Sequence, residues 1–242
     1  MNVESCKPTD EHAQAVSGMF GKIVKWYDVL NRVLSLGLDQ RWRRCLADAV
    51  LPGEAHGEQK RVLDLAAGTL DVSVAVRRRY PGIRVLALDF CLPMLKHGKS
   101  KLTAANGDGV WPVAADARAL PLPDACVDGV TMAFGIRNIV PRTTAFAEMA
   151  RVLVPGGRAC ILEFGTGKNR IWLGVYNFYL KRVLPLIGRL SGNGEAYRYL
   201  SRTIMEFPDA EALKEEMRAA GFRRIYFIPL CSGIVCLHVA EK

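Results

Sequence analysis

From Arg61 to Phe164 the chain alternates between two hydrophobic rhythms. Short apolar runs occur at Arg61–Ala66 (RVLDLA), Ile83–Asp89 (IRVLALD), Trp111–Ala114, Ala125–Phe134 and Arg158–Phe164. Their length and their Val, Ile and Leu content predict buried strands. Between them, Val72–Arg79, Leu92–Leu102 and Thr143–Leu153 space their apolar residues as helices do. Repeated strand–helix units predict an α/β domain with a parallel sheet, helices on both faces and right-handed crossovers. A helix over Asp209–Ala220 is followed by two more strands, Arg224–Pro229 and Gly233–Ala240. Their short connection predicts an antiparallel hairpin at the sheet edge and brings the strand count to seven.

The rhythm differs at two places. Phe20, Ile23, Val24, Tyr27, Leu30 and Leu34 predict a helix over Phe20–Leu36, and a second helix runs from about Leu38 to Val50. Pro52-Gly53 and the polar Glu54–Lys60 then read as a linker. Asn169–Leu200, apolar and aromatic with Pro185 and two Gly-rich spots, reads as a helical insertion. The whole is one domain: an N-terminal helical cap (1–53), a core (60–165), the helical insertion (166–207), and a C-terminal helix with the strand hairpin (208–242).

Composition narrows the class. The chain has 242 residues, half of them hydrophobic, enough for one well-buried α/β domain. The apolar stretch Ile171–Leu180 is too short to span a bilayer, and Met1–Glu11 lacks the apolar core of a signal peptide. Seven scattered cysteines without a C-x-x-C pair argue against zinc, any other metal site or a redox motif. They fit a reducing compartment and a soluble cytoplasmic protein. The net charge of +9 comes with basic groups at Arg41–Arg44, Arg77–Arg79 and Lys181–Arg182. No aromatic–basic motif accompanies them, so no nucleic-acid partner is expected; an anionic membrane surface fits the charge at least as well, and Arg77–Arg79 read as a solvated basic surface.

Chemistry concentrates at the strand ends. VLDLAAGTLD (Val62–Asp71) reads as strand, tight turn and helix start, with Asp64 closing the strand and Gly68 and Thr69 forming the turn. Such a turn lets a small molecule lie against bare backbone. A dinucleotide fingerprint is G-x-G-x-x-G, but its glycine positions here hold Ala66, Gly68 and Asp71. A carboxylate at Asp71 suits the helix N-terminus and would repel a pyrophosphate there. A nucleoside ligand without phosphate, commonly S-adenosylmethionine, fits better than a nicotinamide dinucleotide. Asp89 ends the second strand, where a carboxylate can accept both ribose hydroxyls. Asp116-Ala117 follows the third strand, where Asp116 can accept from an adenine amine. Phe134–Asn138 follows the fourth. In open α/β sheets, ligands bind beyond these carboxyl ends.

These residues carry a resemblance. From Phe20 to His238 the chain resembles the ubiquinone/menaquinone biosynthesis C-methyltransferases, within the class I S-adenosylmethionine-dependent methyltransferases with their Rossmann-like seven-stranded sheet. The matching pieces are YDVLNRVLSLG (Tyr27–Gly37), LDLAAGTLD, FGIRNI (Phe134–Ile139), RVLVPGGRACILEF (Arg151–Phe164), EAYRYLSRTI (Glu195–Ile204) and SGIVCLHVA. FGIRN and YRYL are the most family-specific. The resemblance implies cofactor contacts at Thr69, Asp89, Asp116 and Ala117, beside Asp64 and Gly68 of the turn. The family usually has Ser before FGIRN; Ala133 stands there and leaves only backbone contact. Leu70 replaces the last Gly of the family turn D-L-A-G-G-T-G-D; its Cβ disfavours a positive φ, so either the backbone there does not need Gly or the cofactor pocket is altered.

The implied reaction is methylation of a ring carbon of a polyprenylated quinol precursor. Arg137 and Asn138 are the expected catalytic pair: Arg137 to stabilise phenolate charge or polarise a water, Asn138 to orient that water or the quinol oxygen. Tyr27, Glu163 and Tyr197 are candidates for the quinol pocket, with the insertion as an acceptor lid. His238, in an apolar strand, reads as a core histidine. The partners open to the chain are the quinol, a peripheral membrane contact and a second copy in a homodimer. Two other readings keep the fold: another small aromatic acceptor, or a non-catalytic scaffold of a quinone-synthesis complex.

Overall fold

A computed structural model describes residues 11–51, 59–104, 108–165 and 194–242. Most of the insertion, 166–193, lies outside the described residues. Helices α1 (Glu11–Leu34) and α2 (Asp39–Val50) precede β1 (Arg61–Leu65), α3 (Asp71–Arg79), β2 (Arg84–Asp89), α4 (Leu92–Ala104), β3 (Val110–Ala114) and β4 (Val127–Ala133). Then come α5 (Arg142–Val152), β5 (Leu153–Phe164), α6 (Gly194–Met205), α7 (Ala210–Ala219), β6 (Arg223–Leu230) and β7 (Val235–Glu241).

Two elements are longer than their sequence pattern suggests. α1 begins nine residues before Phe20, because Ala13 and Val16 bury themselves although polar residues surround them. β5 begins at Leu153 rather than Arg158. Its register against β4 jumps from Val127–Leu153 to Gly129–Arg158, so Pro155-Gly156-Gly157 bulges out of the ladder.

The seven strands lie in the order β3-β2-β1-β4-β5-β7-β6. β1 to β5 are parallel, and β7 runs antiparallel between β5 and β6. The C-terminal hairpin thus closes that edge. Both faces of the sheet are covered, which explains the near-continuous apolar reading of the strands. One face packs Trp42, Leu46 and Val50 of α2 with Val76 of α3 and Leu95 of α4 over Val62, Val85 and Leu237. The other packs Phe146 and Met149 of α5 with Leu213 and Met217 of α7 over Leu63, Val130 and Ile161. Strand order reverses between β1 and β4, so a crevice must open there at the carboxyl ends.

Candidate active site at the carboxyl edge of the sheet

The crevice is a partly enclosed cleft at the switch point, where open α/β sheets bind ligands. One wall consists of Ala66 and Gly68 after β1, Asp89 after β2, and Asp116 and Ala117 after β3. The other consists of Ala133, Phe134, Gly135 and Asn138 after β4, with Val16, Phe20 and Tyr27 of α1 across the top.

The turn after β1 is bent by three consecutive departures into the left-handed region: Ala66 at φ 51°, Gly68 at φ 53° and Leu70 at φ 68°. The first two bring bare backbone to the cleft. Gly135 answers them from the opposite wall, since a Cβ there would stand 2.5 Å from Cβ of Ala66. Leu70 accepts the strained conformation that Gly would take freely, at a cost of about 1–2 kcal/mol. Its side chain is fully buried and faces α4, not the cleft. Gly98 makes room for it: a Cβ on Gly98 would lie 2.7 Å from Cγ of Leu70. The bulk at position 70 therefore leaves the pocket unaltered.

Asp89 is the central polar group of its wall. Oδ2 accepts the Gly68 N–H at 2.8 Å and Oδ1 accepts the Cys91 N–H at 2.7 Å. A carboxylate offers about four acceptor positions, so two remain for a ligand's hydroxyls. Burial pushes its pKa up to about 6, against the two backbone N–H groups that favour the charged form. Asp116 also faces the cleft, where Arg118 holds it through Nη2–Oδ2 at 2.7 Å. Arg118 in turn donates to the Val140 carbonyl at 2.7 Å and ties the far ends of the two walls together.

Two residues expected at the cofactor, Asp64 and Thr69, point elsewhere. Strand alternation turns Asp64 onto the α2–α3 face, where it is 1% exposed. It accepts from the Ser73 hydroxyl at 2.5 Å and from Thr131, its register partner on β4, at 2.9 Å. Burial lifts its carboxyl to about 7 despite these two hydroxyls. Thr69 turns to the outside of the turn, donating to Asp28 of α1 at 2.5 Å and accepting from Lys101 of α4 at 3.0 Å. Asp71 does not face the cleft either. It pairs with Lys101 at 2.6 Å and with Arg43 at 3.5 Å, so its charge is not directed at a ligand.

Across the cleft, Asn138 lines the wall, whereas Arg137 and Glu163 lie behind it as a buried ion pair. Arg137 Nη1 donates to Glu163 Oε1 at 2.7 Å and to the Phe134 carbonyl at 2.6 Å, and its guanidinium lies 5.2 Å from the Phe164 ring centre. Tyr27 lines the cleft with Phe20 packed edge-on at 5.9 Å. Burial raises the Tyr27 hydroxyl's pKa, opposed by its hydrogen bond to Asn31 and by the charges of Arg43 and Arg137. The side chain of Tyr197 lies outside the described residues. Tyr199, two positions on, reaches the site: its hydroxyl donates to Asn138 Oδ1 at 3.2 Å. His12 of α1 meets the Asn138 carbonyl at 3.3 Å. Neither was legible as a site residue, though Tyr199 belongs to the YRYL motif. His238 is a core residue, with Nε2 donating to the Ala210 carbonyl at 2.9 Å and burial pulling its pKa down. Among the described residues no group of His, Cys, Asp and Glu could hold a metal ion.

S-adenosylmethionine suits this wall. It needs acceptors for ribose hydroxyls and an adenine amine, which Asp89 and Asp116 supply, and close backbone, which Ala66 and Gly68 expose. Solved structures share the fold. The chain matches the [4+2]-cyclase SpnF with a TM-score of 0.69 at 15% identity, covering 98% of both chains. It matches a putative S-adenosyl-L-methionine-dependent methyltransferase from Methanococcus maripaludis with a TM-score of 0.65 at 17% identity, over 93% of this chain and 94% of that one. At the level of sequence, the chain is 45% identical to a demethylmenaquinone methyltransferase of Thermus thermophilus, over 93% of this chain and all of that one. It is 40% identical to a ubiquinone/menaquinone biosynthesis C-methyltransferase of Geobacter sulfurreducens, over 96% of this chain and 90% of that one. Residues 8–242 match the ubiE/COQ5 methyltransferase family, and the chain belongs to it.

Proposed function

We propose that the chain methylates a ring carbon of a polyprenylated quinol, converting demethylmenaquinol to menaquinol. Its family makes it an S-adenosylmethionine-dependent C-methyltransferase of menaquinone/ubiquinone biosynthesis. The observation that carries the acceptor assignment is the pairing of two unlike walls in one cleft. Asp89 offers spare acceptors on one side; Asn138, held by the Tyr199 hydroxyl, lines the other, with Tyr27 beside it.

When bound, S-adenosylmethionine supplies an electrophilic sulfonium methyl. Asp89 holds its ribose and Asp116 its adenine, with the Ala66–Gly68 backbone alongside. The acceptor carbon becomes a good nucleophile only when an adjacent phenol loses its proton. Asn138 is placed to manage that oxygen. Its Oδ1 is taken by the Tyr199 hydroxyl, which leaves the Nδ2 donors for the acceptor oxygen or for a water that takes the proton. Arg137 acts from behind the wall. Its charge already counteracts the raised pKa of both Tyr27 and Tyr199, and a substrate phenol between them would feel the same field. Holding the two reactants in one cleft supplies much of the acceleration.

Calorimetry with S-adenosylmethionine and a transfer assay with demethylmenaquinol test this reading. Binding with methyl transfer to the ring is expected. Methylation of short phenols with demethylmenaquinol untouched would move the acceptor to another aromatic class. Absence of cofactor binding would favour a scaffold.

A further inference from the structure

The outer face of α1 is built unlike a solvent-facing helix. Trp26, Val29 and Val33 recur at i, i+3 and i+7 and form one stripe, exposed by 58%, 52% and 55%. Leu36 extends the stripe past the helix end. It is 88% exposed and held at φ 51° in the turn before Gly37. An exposed Leu in the left-handed region costs about 1–2 kcal/mol and gains no burial within the chain. Lys22 and Lys25, both exposed, flank the stripe's N-terminal end. The one carboxylate between Lys22 and Leu36, Asp28, is turned inward onto Thr69 and Lys101. From Lys22 to Leu36 the outer face thus carries apolar and cationic groups and no anion.

We infer that this face of α1 docks on an anionic lipid surface. Three observations select lipid over another occupant. Trp26 at the N-terminal end of the stripe suits the headgroup boundary, where its amphipathic ring is favoured. The cations beside the stripe, in a chain of net charge +9, complement anionic headgroups, each contributing about 1 kcal/mol near such a surface. The inner face of the same helix carries Val16, Phe20 and Tyr27 of the cleft, so docking places the cleft one helix diameter from the lipid. Among the described residues no helix is long and apolar enough to cross a membrane, so contact through this face is interfacial. The inference deepens the proposed function, because it gives a prenylated acceptor a short path from bilayer to cleft; the binding itself does not depend on the acceptor's identity.

The test is flotation of the full chain with vesicles of phosphatidylcholine containing phosphatidylglycerol, beside a variant carrying Trp26→Ser, Val29→Ser and Val33→Ser. All three positions are exposed, and an unchanged thermal midpoint confirms the variant's fold. Binding of the parent chain that weakens about tenfold or more in the variant, and that falls with added salt, is the expected result. Equal binding by both proteins, or no binding by the parent, overturns it. So does a parent dimer that the triple variant converts to monomer, because a second copy would then own the face. Turnover of a short-chain quinol in detergent-free buffer separates the two readings. The variant keeps it if only docking is lost, whereas a parent that binds vesicles but methylates no quinol leaves docking intact and sinks the acceptor assignment.

Discussion

On the β1–β2–β3 side of the cleft, the ligand-facing groups sit within a few residues of a strand end: Gly68, Asp89 and Asp116. On the opposite side, the polar cluster is collected from distant chain. Asn138 follows β4, but its hydrogen-bond partners His12 and Tyr199 are 126 and 61 positions away. The first wall is a product of sheet geometry, since parallel strands deliver their carboxyl ends to one edge whatever follows them. The second depends on where α1 and α6 pack. A local wall can keep its cofactor role while a long-range wall is rebuilt for a different acceptor, which is how one fold serves many chemistries.

The largest effect that should separate the walls is at Arg137. Both partners of its ion pair with Glu163 are buried, with side chains 6% and 1% exposed. Arg137→Ala leaves Glu163 charged and unpaired and should cost about 3–5 kcal/mol in denaturant unfolding. The double variant Arg137→Met, Glu163→Gln should regain most of that stability, still bind S-adenosylmethionine, and remain poor in turnover. A double variant with near-normal turnover would make the pair purely architectural.

Asp89→Asn should act on the other wall. It removes the charge that accepts from Gly68, Cys91 and the ribose, so cofactor affinity should fall by about 10–100-fold, from the ~1.5–3 kcal/mol typical of hydrogen bonds to charged groups. Acceptor KM measured at saturating cofactor should move little. A shift in acceptor KM alone would erase the division between walls.

Leu70→Gly tests a residue of the first wall's turn that faces away from the cleft. Losing a buried Leu costs about 2–5 kcal/mol, and relief of the left-handed backbone returns about 1–2 kcal/mol. A net loss of about 1–3 kcal/mol is expected, with cofactor affinity unchanged. Tighter cofactor binding would mean the Leu side chain does reach the pocket.

Asp64→Asn gives a pH signature. The folded pKa of about 7 lies above the ordinary 3.8, so the folded state retains a proton that the unfolded chain has released. The stability this provides is complete below about pH 4 and is lost as pH rises through 7. Asn should flatten the stability profile between pH 5 and 8 by at least the ~1.4 kcal/mol that one unit represents. An unchanged slope would show that Asp64 ionises without cost. The smallest effect is expected at Tyr199→Phe, where one neutral hydrogen bond of about 1 kcal/mol is lost, raising acceptor KM about fivefold without changing cofactor affinity.

The same contrast explains what could be read from the chain. Strand rhythm points to the seven strands, and the strand ends point to Asp89, Asp116 and Asn138, because sheet position fixes where those fall; Ala133 rests on the family motif FGIRN instead. The family resemblance places Thr69 on the ligand side, and Asp71 reads as the carboxylate that opens the helix after the turn. The positive φ angles at Ala66, Gly68 and Leu70 rotate both away, and two of those three residues are not Gly, so composition carried no sign of it. Asp64 is turned by simple alternation, yet its need for Ser73 and Thr131 is visible only once β4 lies beside β1. Nothing in YRYL distinguishes which tyrosine meets Asn138.

The hydroxyl of Thr69 bridges Asp28 and Lys101, and so fastens α1 to the turn after β1 that lines the cleft. Such a clasp makes the cap and the turn thermodynamic partners. A ligand that steadies the turn lowers the freedom of α1, and anything that grips α1 from outside must, by reciprocity, strengthen the hold on that ligand by the same factor. Loading and positioning then become one equilibrium, linked through Thr69, Asp28 and Lys101.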